Sequence, residues 1–213
     1  MATTTRSAST AATAADVDAR SRVDAVAGAD AVAGAAVVTL GRPQVRPVDE
    51  QDAQRIFRGV FRQLPTGVTV VTTMSVDGPS GMTVNAVCSV SLDPLLLLVC
   101  LRNDSRTLMH VLEADAFAVN VLRDSQAGLS ESFARSQPDW ARFESVPYRI
   151  RQGMPVLDAA LAWLTCGVAE TYPGGDHTIV LGAVTGMAAS AGEPLVWHGG
   201  GYRSLVRGPY PAA

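Results

Sequence analysis

Gly67-Val-Thr-Val-Val-Thr-Thr-Met74, Asp77-Gly-Pro-Ser-Gly81 and Met82-Thr-Val-Asn-Ala-Val-Cys-Ser-Val-Ser91 follow one another almost without spacing. The first is a β-branched run, which packs well on a pleated surface. The second is a cluster of turn residues. The third alternates, with Met82, Val84, Ala86, Cys88 and Val90 on one side and Thr83, Asn85, Val87, Ser89 and Ser91 on the other. Together they predict a β-hairpin whose second strand has an apolar, core-facing side and a small, polar, uncharged side. That polar side is either a solvent-facing row or one wall of a ligand groove.

Outward from this hairpin, more strands appear. Asp93-Pro94 marks a turn, and Leu95 to Leu101 is a continuous apolar strand, expected to be buried on both faces. Further strands are predicted at 117–122, 160–170, 177–188 and 194–198. Short helices are predicted after Ser105, over 125–135 and over 139–143. Residues 49–64 read as an amphipathic helix, with Ile56, Phe57, Val60, Phe61 and Leu64 on one face and Pro65 ending it. Strands and helices do not alternate regularly, so a parallel doubly wound sheet is not expected. The pattern predicts a mainly β protein: a closed antiparallel barrel with peripheral helices.

The chain divides near residue 48. Residues 1–36 hold no leucine, isoleucine or aromatic side chain, too little apolar surface to offset the entropy of ordering. Residues 1–48 are therefore read as a disordered, alanine-rich tail, and 49–208 as the folded domain.

Composition excludes several functions. The 213 residues carry a formal net charge of −3, unlike a protein that neutralises nucleic-acid phosphates. All 17 basic residues are arginine. Without lysine there is no Walker A phosphate loop and no Schiff base. No Gly-x-Gly-x-x-Gly follows a strand, so a Rossmann nucleotide site is not expected. Cys88, Cys100 and Cys166 form no Cys-x-x-Cys pair and read as small core residues. No metal site is expected, because the three histidines have no ligand spacing. No apolar run approaches the roughly 20 residues of a membrane span. With no signal-peptide pattern and an odd number of cysteines, a cytoplasmic, membrane-free location is expected.

Three positions invite chemistry. Ser105 is a plausible N-cap, and the helix start beside Arg102, Arg106 and Thr107 is suited to an anion such as phosphate. An exposed capped turn with solvated arginines is the plainer reading. Asn120 lies inside an apolar strand and needs partners, for which backbone suffices. His177 stands at a loop–strand junction, where a structural role is common.

Six segments in order resemble a family: Pro65-Thr-Gly-Val-Thr-Val-Val-Thr72, Gly81 to Pro94, Ser105-Arg-Thr107, Phe117-Ala-Val-Asn-Val-Leu122, Gly175-Asp-His177 and Gly201-Tyr-Arg203. The chain resembles the flavin reductase components of two-component flavin-dependent monooxygenases. This resemblance implies a Greek-key split β-barrel of the FMN-binding type over 49–208, assembled as a homodimer. It implies reduction of FMN or FAD by NADH, with NADPH open, and release of reduced flavin to a partner monooxygenase. By position, Met82, Thr83, Val84 and Asn85 match the segment bordering the flavin ring. Val87, Cys88 and Ser89 match its continuation toward the ribityl chain. Arg102, Asn103, Ser105, Arg106 and Thr107 match the phosphate segment, and Phe133, Ala134 and Arg135 a further flavin contact. His177 matches a histidine on the nicotinamide side and is the candidate catalytic residue. His198, Tyr202 and Arg203 match a C-terminal segment near both ligands. Where the family often has Ser-Phe, this chain has Ala86-Val87. Two other uses of the same barrel stay open: a flavoprotein that retains its flavin and acts on a small substrate, and a non-enzymatic flavin or haem carrier.

Overall fold

A computed structural model describes residues 49–205. The expected tail, 1–48, and the last three positions of the expected domain, 206–208, lie outside the described residues. The elements run α1 (Glu50–Phe61), β1 (Thr66–Gly67), β2 (Thr69–Ser75), β3 (Gly78–Val84), β4 (Val87–Leu92) and β5 (Leu95–Arg102). Then come α2 (Arg106–Ala114), β6 (Ala116–Val121), α3 (Ala127–Ala134), α4 (Asp139–Phe143), β7 (Tyr148–Arg151) and β8 (Met154–Leu157). The chain continues through β9 (Ala162–Gly174), β10 (His177–Ala189), β11 (Val196–His198) and β12 (Gly201–Arg203).

Seven strands form one sheet in the order β3-β2-β6-β9-β10-β5-β4, every pairing antiparallel. Laid flat, such a sheet would be about 29 Å wide at the usual strand spacing. Yet its two edge strands, β3 and β4, are joined by Asn85 and Ala86 alone, a link that spans at most about 11 Å. The sheet must therefore curl until its edges approach. No ladder joins β3 to β4, so the barrel is split along that seam. The expectation of a closed barrel is corrected here; the split, mainly β architecture is the one observed.

The same link corrects the expectation of one strand from Met82 to Ser91. The strand breaks at Asn85-Ala86, and the inward and outward parity changes across the break, as any slip in a period-two pattern requires. Val84 and Val87 both pack on the core, whereas Cys88 is exposed and Val90 is 49% exposed. Cys88 is thus an edge-strand surface residue and not the core residue expected. Cys166 is buried on β9, and burial pushes its thiol up to about 12.

The barrel interior is filled by Val71, Val84, Val99, Leu101, Phe117, Val119 and Val180, with Leu108 and Val111 of α2 packed into the same cluster. A second cluster lies outside the barrel wall: Val68, Val70, Leu122, Phe133, Phe143, Leu157 and Leu195. β2 separates the two clusters and is buried on both faces. Its threonines are admitted because each hydroxyl has an acceptor: Thr69 donates to Val84 O, Thr72 to Pro155 O, and Thr73 to Ala116 O. Leu95 to Leu101 departs from expectation. Leu97, Val99 and Leu101 are buried, but Leu96, Leu98 and Cys100 point outward and are only half-buried. Among the described residues, nothing covers that side. The helix expected over 49–64 ends at Phe61, and among the described residues its apolar face is likewise uncovered: Phe57 is 63% exposed and Val60 64%.

Asn120 takes the structural role. It is fully buried, and its Nδ2 donates to Val70 O and Thr72 Oγ1, both at 3.1 Å. Its Oδ1 accepts from the Leu157 N–H at 2.8 Å. One amide thereby ties β2, β6 and β8 together.

Candidate active site

A cleft of about 640 Å³ opens where the end of β3, the start of α2 and the α3–α4 segment meet. Each wall has a local cause. Ser105 caps α2, its Oγ accepting the Leu108 N–H at 3.2 Å and donating to Arg102 O at 2.8 Å. The first-turn N–H groups of Arg106 and Thr107 then have no acceptor within the helix and stand at its positive end. Arg106 reaches across to Gln137 O at 3.2 Å. Arg102 is held by Asp104 through bonds of 2.9 and 2.6 Å, which lowers the Asp104 carboxyl from its ordinary value. Thr83 donates to Ser130 O at 2.7 Å and fixes α3 against β3. Tyr202 donates to Ser130 Oγ at 3.0 Å and packs edge-on against Trp197, closing the far end.

Eleven of the residues singled out in the sequence line this cleft: Met82, Thr83, Asn85, Arg102, Ser105, Arg106, Thr107, Phe133, Ala134, Arg135 and Tyr202. The others sit elsewhere. Val84 is in the core, Val87 packs against it, and Cys88 and Ser89 are exposed on β4. Arg203 is exposed and donates to Tyr202 O, and His198 is half-buried on β11. Asn103 does not line the cleft but anchors it. Its N–H donates to Asp176 O at 3.1 Å, its Nδ2 to Gly175 O at 3.0 Å, and its Oδ1 accepts from Thr178 at 2.8 Å. These bonds pin the β9–β10 turn beside the start of α2. His177 is consequently the register partner of Arg102. It stands at the cleft's shoulder with Nδ1 2.8 Å from Asp176 Oδ1, a contact that holds the Asp176 carboxyl below its ordinary range. With Nδ1 engaged by Asp176, Nε2 is the nitrogen left for a ligand.

Sequence reasoning missed Val68, Asp104, Ser130, Ser136, Gln137, Arg142 and Trp197, which also line the cleft. Asp104, Ser136 and Gln137 adjoin residues already singled out, whereas Val68, Ser130, Arg142 and Trp197 come from segments that meet only in three dimensions. The one local hint was Asp139-Trp-Ala-Arg-Phe143, an acid and an arginine one helical turn apart.

The geometry fits a flavin nucleotide. A capped helix start with Arg106 suits a phosphate, and the uncharged polar end of β3 suits the hydrogen-bonding edge of a ring system. No lysine is present, so arginine, hydroxyl and backbone N–H groups make up the anion-binding set.

Comparison with known proteins agrees. Residues 61–206 match the flavin reductase like domain. The flavin reductase (NADH) of Kitasatospora aureofaciens is 45% identical over 160 residues, covering 72% of this chain and 81% of that protein. The reductase subunit HsaB of a flavin-dependent monooxygenase from Mycobacterium tuberculosis (strain ATCC 25618 / H37Rv) is 35% identical over 155 residues, covering 71% and 82%. A further relative, from Rhizobium meliloti (strain 1021), is 42% identical over 150 residues, but the chain spans about half of its length, 48%. Among solved structures, the NADH:FAD oxidoreductase SgcE6 of Streptomyces globisporus C-1027, in complex with NAD and FAD fragments, superposes with a TM-score of 0.70. It is 36% identical and covers 78% of this chain and all of that one, at 100%. With its split barrel, its capped helix and a family match over most of its length, the chain belongs to the flavin reductase like domain family.

Proposed function

We propose that this protein is an NADH-dependent flavin reductase: it binds free FMN or FAD as a substrate, reduces it with NADH, and releases the reduced flavin to a partner monooxygenase. The observation that carries this reading is the cleft, in which a capped helix N-terminus and Arg106 face the uncharged end of β3. The flavin supplies the redox chemistry, accepting a hydride equivalent from the nicotinamide. The chain's own residues bind and orient. Hydride transfer between two rings needs close, aligned stacking and no general base. Ser105, Arg106 and Thr107 hold the phosphate end, and Met82, Thr83 and Asn85 border the ring. His177, steered by Asp176, orients the nicotinamide. The proposal extends to Phe133, Ala134, Arg135 and Tyr202 as further walls, and to a cytoplasmic location, supported by three free thiols.

The test is NADH consumption in air with catalytic and then excess free FMN or FAD. The rate is expected to climb with added flavin and saturate. A rate indifferent to added flavin would mean that the flavin is retained, or that the protein is a carrier. For His177→Ala, the KM for NADH is expected to rise several-fold more than the KM for flavin. Equal changes in both would remove His177 from the nicotinamide side.

The reading includes a homodimer. Leu96, Leu98, Cys100, Ile179 and Leu181 form an outward, half-buried apolar strip across β5 and β10. In an antiparallel sheet that side is normally polar unless something covers it. Light scattering is expected to give the mass of two chains, and Leu98→Glu the mass of one. A one-chain mass for the unaltered protein would refute the assembly.

A further inference from the structure

Arg142 is charged, placed on the cleft wall, and nearly buried. Its side chain is 11% exposed and that of its partner Asp139 13%. Its Nη1 donates to Asp139 Oδ1 at 2.7 Å and to Gly81 O at 2.7 Å, and its Nη2 donates to Arg135 O at 2.8 Å. One guanidinium thus grips two backbone carbonyls. Gly81 O belongs to β3, one residue before the stretch that borders the ring. Arg135 O ends α3, just where the chain leaves for the mouth of the cleft.

The arrangement is poorly suited to stability alone. Buried ion pairs add little stability over packed apolar residues. Here two buried nitrogens are also left without hydrogen-bond partners among the described residues: the donor Arg142 Nε, and Nδ1 of His110, which lies 3.9 Å from Asp139 Oδ2. An unsatisfied buried donor carries a penalty. What the planar guanidinium delivers in return is fixed geometry between two walls, because its donors are held in a rigid fork. Glycine at 81 is part of the fit. A Cβ there would stand 3.0 Å from Val71 O and 3.1 Å from Phe133, so β3 sits tight against its neighbours where Arg142 holds it.

We propose that Arg142 is the positioning residue of the flavin site. By joining Gly81 O of β3 to Arg135 O at the end of α3, it sets the spacing between the strand that borders the ring and the wall formed by residues 134–137. It acts through the backbone it holds and takes no part in hydride transfer. This inference rests on the reductase reading, and the unaltered protein is the control for that reading. If it does not reduce free flavin with NADH, the functional reading fails. If it does and the Arg142 variants match it, only this inference fails.

The experiment compares Arg142→Ala and Arg142→Lys with the unaltered protein in steady-state kinetics. For Arg142→Ala, the KM for flavin is expected to rise about tenfold, the scale of a lost charge-assisted hydrogen bond. The KM for NADH and kcat at saturating flavin should stay within about twofold. Arg142→Lys keeps the charge but not the fork, so a rise of about threefold is expected. Added guanidinium at millimolar concentration should return the flavin KM of Arg142→Ala toward that of the unaltered protein. An unchanged flavin KM, a proportional rise in both KM values, or no guanidinium rescue overturns the proposal. Should Arg142→Ala fail to fold, Arg142→Lys decides alone, and a flavin KM equal to the unaltered protein's overturns it.

Discussion

Replacing Ser105 and Arg106 together by alanine is expected to raise the KM for flavin about a hundredfold while leaving the KM for NADH near its original value. Two separate losses combine. Ser105 caps α2 by accepting the Leu108 N–H, and losing such a cap costs about 1 kcal/mol of local helix stability. The first-turn N–H groups then fray just where an anion would rest on them. Arg106 supplies the positive charge at that helix start, and a charge-assisted hydrogen bond contributes about 1.5–3 kcal/mol. Together the losses come to roughly 3 kcal/mol, or about two powers of ten in affinity. Arg102 is not expected to substitute, because Asp104 already takes two of its donors. Flavin titration followed by fluorescence, together with the two KM values, checks this. An unchanged flavin affinity would move the phosphate away from α2.

The second large effect concerns stability. Asn120→Ala is expected to lower the unfolding free energy by roughly 3 kcal/mol, since a buried polar group stripped of its partner costs about 1–3 kcal/mol. The substitution removes three hydrogen bonds at once. It leaves the Leu157 N–H without its acceptor and takes the side-chain donor from Val70 O, both in a buried layer. For a domain of this size the melting temperature should fall by about 6–12 °C. Asn120→Asp should be at least as damaging, since it buries a charge where the amide donated twice. Thermal unfolding followed by circular dichroism reads both. A shift of less than about 2 °C would show that the layer around β8 relaxes and resatisfies its own backbone.

Much of this architecture was legible because the decisive signals are local. The β-branched run of β2, the turn at 77–81 and the Ser105 cap each depend on a few consecutive residues. The anion end of the cleft and its polar strand were legible from such segments, whereas Phe133, Ala134, Arg135 and Tyr202 were named by the family resemblance. Legibility ended where tertiary packing decides. Nothing in Met82 to Ser91 marks the break at Asn85-Ala86, because the strand continues in composition and only the curl of the sheet forces it apart. Buried threonines on β2 look polar until their acceptors are known. The β7–β8 hairpin hides in a stretch without strong alternation. Arg142 looks like any surface arginine on a short helix, and its burial arises from Gly81 and Arg135, about 60 and 7 positions away. The apolar run at Leu95 misled in a useful way. Its side chains are those of a doubly covered strand, and among the described residues the second cover is missing, the gap that the proposed partner copy would fill.

The seam between β3 and β4 has a consequence for how the wall beside the cleft is held. In a fully laddered barrel, any widening of the wall must break inter-strand hydrogen bonds. Here the wall is interrupted beside the cleft, and the two lips are tethered by the two residues Asn85 and Ala86. The tether itself is pinned: Ala86 O accepts the Cys100 N–H of β5 and Asn85 O accepts the Val87 N–H, both at 3.0 Å. Beside the cleft, then, two backbone hydrogen bonds at one short link do what whole ladders do in the rest of the barrel.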